Sequence, residues 1–89
     1  MEENVASIRT YLQEKFQGFD IGEQPDFPLS YYTFTVTKRS PLTQYKLKVQ
    51  WSRISDGDST PSSITQLLLN DDVATEMKTS KGEYFAWGW

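Results

Sequence analysis

The chain contains no cysteine and no histidine. The first absence removes disulfide staples, thiolate metal ligands and thiol nucleophiles, and argues against a disulfide-framed secreted module. The second removes the side chain best suited to shuttling protons near neutral pH. Long apolar runs are missing too: no segment approaches the roughly 20 residues of a membrane-spanning helix. The opening Met-Glu-Glu-Asn is acidic where a signal peptide would be basic and then apolar. These absences lead us to expect a cytoplasmic protein with no membrane partner.

Acidic residues are absent from one stretch. All twelve lie outside residues 27–55, which hold Lys38, Arg39, Lys46, Lys48 and Arg53. A net charge of −3 therefore conceals a basic middle and acidic flanks.

What the chain does have is rings: five Phe, five Tyr and three Trp among 89 residues. A chain of this length is read as one domain, residues 1–89, and these rings are its means of closing a small core.

Val5, Ile8, Leu12 and Phe16, with Tyr11 beside them, recur at helical spacing. Asn4 is the expected N-cap, with Glu2 and Glu3 favouring the positive end of the helix dipole and Gly18 the stop. Residues 19–28 predict a short edge strand and then a loop, because Pro25 and Pro28 cannot donate to a ladder. Tyr32, Phe34 and Val36 alternate with Tyr31, Thr33, Thr35 and Thr37, and Tyr45, Leu47, Val49 and Trp51 alternate with Lys46, Lys48, Gln50 and Ser52. This pattern predicts an antiparallel hairpin over 30–38 and 45–54, turning at Pro41. A loop at 55–62 precedes a helix opened by a capping box of Ser63 and Gln66. Its apolar stripe loses register at Asn70-Asp71-Asp72, which predicts a kink or two short helices ending near Lys78. Tyr84 to Trp89 alternate again and predict a last strand. The expected fold is α+β, a three- or four-stranded, mainly antiparallel sheet with two helices on one face, in the order helix, short strand, strand, strand, helix, strand. The expected core is Ile8, Leu12, Phe16, Tyr32, Phe34, Val36, Leu47, Val49, Trp51, Leu67, Leu68, Phe85 and Trp87.

Catalytic signals are weak. Ser62 and Ser63 are explained as helix-start residues. Asp56-Gly57-Asp58 looks like the opening of a calcium loop, but its glycine comes early and Leu67 stands where the bidentate Glu belongs. Asp71, Asp72 and Glu76 read as caps and helix breakers. No catalytic residue, metal ligand or cofactor is expected.

Two surfaces are candidates. On the polar face of the hairpin, Tyr31, Thr33, Thr35 and Arg39 share a side with Lys46 and Lys48. A basic, hydroxyl-rich sheet can track phosphates, although a single aromatic there is sparse for stacking bases, and an ordinary solvent face would look similar. At the C-terminal strand, Tyr84, Trp87 and Trp89 form a candidate protein-contact edge, whose plainer reading is core.

The element order is similar to that of double-stranded-RNA-binding domains. Those domains open their second helix with lysines, whereas Ser62-Ser63-Ile64-Thr65-Gln66 stand here, so no residue role is carried over. The expected function is a small non-enzymatic protein-interaction module, an adaptor, regulator or inhibitor acting alone or as a homodimer. The alternative is nucleic-acid binding through the basic hairpin face.

Overall fold

A computed structural model describes residues 2–26 and 31–88. The element order is α1 (Glu2–Lys15), β1 (Asp20–Asp26), β2 (Tyr31–Arg39), β3 (Leu42–Gln50), α2 (Trp51–Ser55), α3 (Pro61–Asn70), α4 (Val73–Thr79) and β4 (Tyr84–Trp87). The fold is α+β, and the four strands lie in the order β1-β2-β3-β4. β1, β2 and β3 pair antiparallel as expected, but β4 joins β3 in parallel, so the sheet is mixed. The loop expected beyond Asp26 falls outside the described residues.

Period-two alternation sorts the sheet into two faces. Phe34, Val36, Leu47 and Val49 are fully buried and join Val5, Ile8, Leu12, Ile64, Leu68, Val73 and Met77 from the helices in one cluster. Trp87 belongs to the same cluster, and Tyr32, Leu67 and Phe85 pack against it half-buried. The helices thus cover one face, and the opposite face carries none.

Several local assignments change. The second strand of the hairpin stops at Gln50, because the ladder ends at the Tyr31–Gln50 pair. Trp51 then starts α2, stacks on Tyr32 with ring centroids 6.2 Å apart, and lets Ile54 fold back into the core. Ser52 therefore leaves the sheet. The helical region after the loop is split, as α3 and α4, at the break in apolar register. Its N-cap is Thr60, whose hydroxyl accepts from the Ser63 amide at 3.1 Å while the Ser63 hydroxyl accepts from the Thr60 amide at 2.9 Å, so Gln66 is not part of the box. Asn4 lies within α1 and is buried. Its side-chain amide donates to the carbonyls of Ile54 at 2.8 Å and Ser59 at 3.2 Å, tying α1 to the α2 region.

β1 tolerates Pro25 because it is a sheet edge, where one missing donor costs no central ladder bond. Gly18 adopts φ 83°, a left-handed conformation that ends the turn after α1 without a Cβ penalty.

The start of α4 has no side-chain cap from Asp72. The Ala74 amide instead donates to the Tyr11 hydroxyl at 3.0 Å, across 63 positions of sequence. Burial is the main reason the Tyr11 hydroxyl titrates above its ordinary value. Removing that oxygen leaves a buried amide unpaired, so Tyr11→Phe is expected to lower stability by about 1 to 3 kcal/mol. Urea unfolding of the two proteins measures this, and equal midpoints with equal slopes would show that the bond contributes nothing.

Candidate functional site

On the helix-free face the register aligns residues from all four strands. Gly22 pairs with Thr35, Thr35 with Lys46, and Lys46 with Tyr84, forming one lateral row. Gln24, Thr33, Lys48 and Ala86 form the next. Tyr31 lies one further step along β2, opposite Gln50. Arg39 is on the same face but at the opposite end of β2 from Tyr31, paired with Leu42, so Tyr31, Thr33, Thr35, Lys46 and Lys48 come together and Arg39 stands apart from them.

The parallel docking of β4 adds a residue that the sequence reading assigned elsewhere. Tyr84, taken there as part of a protein-contact edge, is on the basic face and 42% exposed. Lys46 Nζ is 5.2 Å and Lys48 Nζ 5.3 Å from its ring centroid, and Lys48 Nζ is also 4.6 Å from that of Tyr31. Two aromatic rings therefore flank two ammonium groups, with the lysine stems half-buried along the sheet. An exposed cation held over a ring gains only about 0.5 to 1 kcal/mol, so these ammonium groups can be drawn away by a stronger anion.

Trp87 leaves the proposed contact edge. It is only 2% exposed, its indole nitrogen donates to Asp71 at 2.8 Å, and the Arg53 guanidinium is 4.7 Å from its ring centroid. It is a core residue, and it gives Asp71 a structural task. Trp89 lies outside the described residues. Lys38 turns to the helix side, with Nζ 5.8 Å from the Phe19 ring centroid, and so is not on the basic face.

Beside the rows lies a hollow of about 250 Å³ lined by Gly22, Glu23, Gln24, Thr33, Thr35 and Tyr84. Gly22 lets the cross-strand Thr35 hydroxyl lie close over the β1 backbone at the edge of that hollow: a Cβ there would stand 2.8 Å from the Thr35 hydroxyl oxygen. A glycine inside a strand costs roughly 0.5 to 1 kcal/mol relative to alanine. At Gly22 the pairing is continuous, without a bulge, and the φ is not positive. A second hollow, of about 280 Å³, lies between α1 and α3 and is bordered by Glu3, Glu14 and Leu69.

The most strongly coupled ionisable groups are on the helix side of the sheet. Arg9 grips Glu23 in a two-pronged ion pair, with Nε 2.7 Å from one carboxylate oxygen and a terminal nitrogen 2.6 Å from the other. The Tyr32 hydroxyl donates to the same carboxylate at 3.1 Å. The hydrogen bonds from Arg9 hold the Glu23 carboxyl below its ordinary value. Burial, followed by the nearby Glu23 charge, pushes the Tyr32 phenol up to about 12. This arrangement locks α1 onto β1 and offers no lone base aimed at a substrate. Among the described residues no group of three or more His, Cys, Asp or Glu could hold a metal ion, and no helix is long and apolar enough to cross a membrane.

No family model, curated protein or solved structure matches the chain.

The ion pair has a signature in pH. Glu23 is depressed in the folded state, so its stabilisation is complete above its ordinary value of 4.5 and is lost as pH falls through the lower folded value. Between about pH 6 and pH 3 the native protein should lose more stability than Glu23→Gln. Urea melts at both pH values give the comparison, with equal losses meaning that the pair does not form in solution. Tyr32 acts at the other extreme: its raised value means that stability falls as pH rises from the ordinary 10.0 towards about 12.

Proposed function

We propose that this chain is a non-enzymatic binding module that holds single-stranded nucleic acid against the helix-free face of its sheet. The observation that carries this reading is the position of Tyr84 beside Lys46 and Lys48, with Tyr31 on their other flank. Bases stacked on such rings gain about 1 to 3 kcal/mol each with little regard to sequence, while nearby ammonium groups meet the phosphates. The strand would run across the hairpin, with Arg39 meeting a phosphate at its far end.

Electrostatics favour this despite the acidic total. Glu2, Glu3 and Glu14 are on α1, Glu76 is on α4, and Asp71 and Asp72 join α3 to α4, in the helix layer behind the sheet, while Asp20 at the start of β1, opposite Thr37, is on the open face itself. At about 0.1 M salt the Debye length is roughly 10 Å, so charges a layer away are largely screened from a ligand on the open face.

A protein partner has less support at the C-terminal strand, because burial of Trp87 removes one of the two indoles expected at that edge. The same open face could hold an acidic protein segment instead, and the experiment below separates the two ligands. The lack of cysteine is compatible with work in the cytoplasm.

Fluorescence anisotropy with a labelled oligothymidylate of about 12 nucleotides is the test. With Arg39, Lys46 and Lys48 each neutralising a phosphate, the logarithm of affinity should fall with the logarithm of salt at a slope of about −2. Lys46→Ala combined with Lys48→Ala should weaken binding for every sequence and flatten the slope to about −0.7. Unchanged affinity in the double variant overturns the proposal. So does a glutamate-rich peptide that binds this face when the oligonucleotide does not.

A further inference from the structure

We infer that the hollow around Gly22 is a subsite for one unstacked nucleobase, an inference that rests on the single-strand reading of the same face. A glycine in the interior of a strand often marks a place where a ligand approaches the backbone closely. Here no turn or bulge is involved, since the β1–β2 register runs without interruption from Asp20–Thr37 to Asp26–Tyr31; the close approach is made by the Thr35 hydroxyl, which the glycine admits over the backbone at the edge of the hollow.

The missing side chain has a definite consequence. Gly22, Glu23, Gln24, Thr33, Thr35 and Tyr84 line a space of about 250 Å³, with the Glu23 carboxylate already held by Arg9. That is slightly below the roughly 300 to 1,000 Å³ of small-molecule pockets, a size suited to a single planar ring system. Hydroxyl and carboxamide groups supply both donors and acceptors, which is what the edge of a base requires. Tyr84 supplies a ring at the wall, and the lateral Gly22–Thr35–Lys46–Tyr84 row puts Lys46 where the phosphate of the same nucleotide would pass. Tyr84 and Lys46 thus serve base and backbone of one nucleotide, while Tyr31 and Lys48 serve its neighbour.

The occupant is distinguished from simple charge attraction by comparing two probes of equal charge. One is the oligothymidylate of about 12 nucleotides, and the other is an abasic strand with the same number of phosphates. Gly22→Val fills the hollow with a residue that favours strands, and Gln24→Ala removes the carboxamide from its lining at an exposed position. Each variant is first checked for an unchanged thermal midpoint, and Gln24→Ala serves if Gly22→Val fails that check.

We expect the native protein to bind the base-bearing strand more tightly than the abasic one. The variant should lose affinity for the base-bearing strand by about tenfold while keeping its affinity for the abasic strand and its salt slope. Equal binding of the two probes by the native protein would overturn the base subsite and with it base stacking on Tyr31 and Tyr84, leaving only the lysines that track phosphates. Equal losses for both probes in the variant, or no loss for either, would also overturn the subsite. Failure of the native protein to bind either probe at low salt would overturn both proposals together.

Discussion

Only one side of the sheet is apolar, and the rest of the architecture follows from that. Phe34 and Val36 on β2 and Leu47 and Val49 on β3 are completely buried, so every helix must settle over them. The chain leaves β3 at Gln50 and remains in the helix layer from α2 through α4 before re-entering the sheet at Tyr84. A return of that length carries the chain back to the starting end of β3, so β4 runs parallel to its neighbour. The other side of the sheet is left to Gly22, Thr33, Thr35, Lys46, Lys48 and Tyr84.

The helix layer is made of short pieces that could not persist alone. α2 has 5 residues and α4 has 7, below the length at which an isolated helix holds in water. Directed polar contacts fix them: Asn4 holds the carbonyls of Ile54 and Ser59, the Tyr11 hydroxyl accepts from the Ala74 amide of α4, and Asp71 takes the Trp87 indole. Each joins elements far apart in sequence, and among the described residues no buried side-chain nitrogen or oxygen lacks a partner. Apolar burial supplies attraction without direction, so these bonds select one arrangement of the pieces.

The two faces also divide the charge in part, with Asp20 alongside the lysines on the open one. Arg9 and Glu23 neutralise each other where α1 meets β1, Arg53 is spent on Trp87, and Lys38 on Phe19. Of the basic middle segment, Arg39, Lys46 and Lys48 therefore remain for the open face. They are few, which suits a surface that combines modest charge with ring stacking rather than one that relies on charge alone.

Much of this was legible in local spacing. The α1 stripe, the hairpin and its two faces, the terminal strand and the break at residues 70–72 all appear as intervals of two, three or four residues, because side-chain direction repeats with backbone geometry. The assignments that shifted involve partners outside those intervals. Asn4 and Thr60 are both good cap residues, and distant carbonyls decided that Asn4 would be buried instead. Trp51 fits a strand by alternation, and only the end of the Tyr31–Gln50 ladder releases it into a helix. Alternation at residues 84–87 separates Tyr84 from Trp87, yet it reads the same whichever way the strand runs. Sequence alone therefore determined which residues share a face and which face met the helices; the tertiary structure decided that β4 is parallel, and that Tyr84 joins the lysines while Trp87 is buried, since these depend on contacts across tens of residues that no local period records.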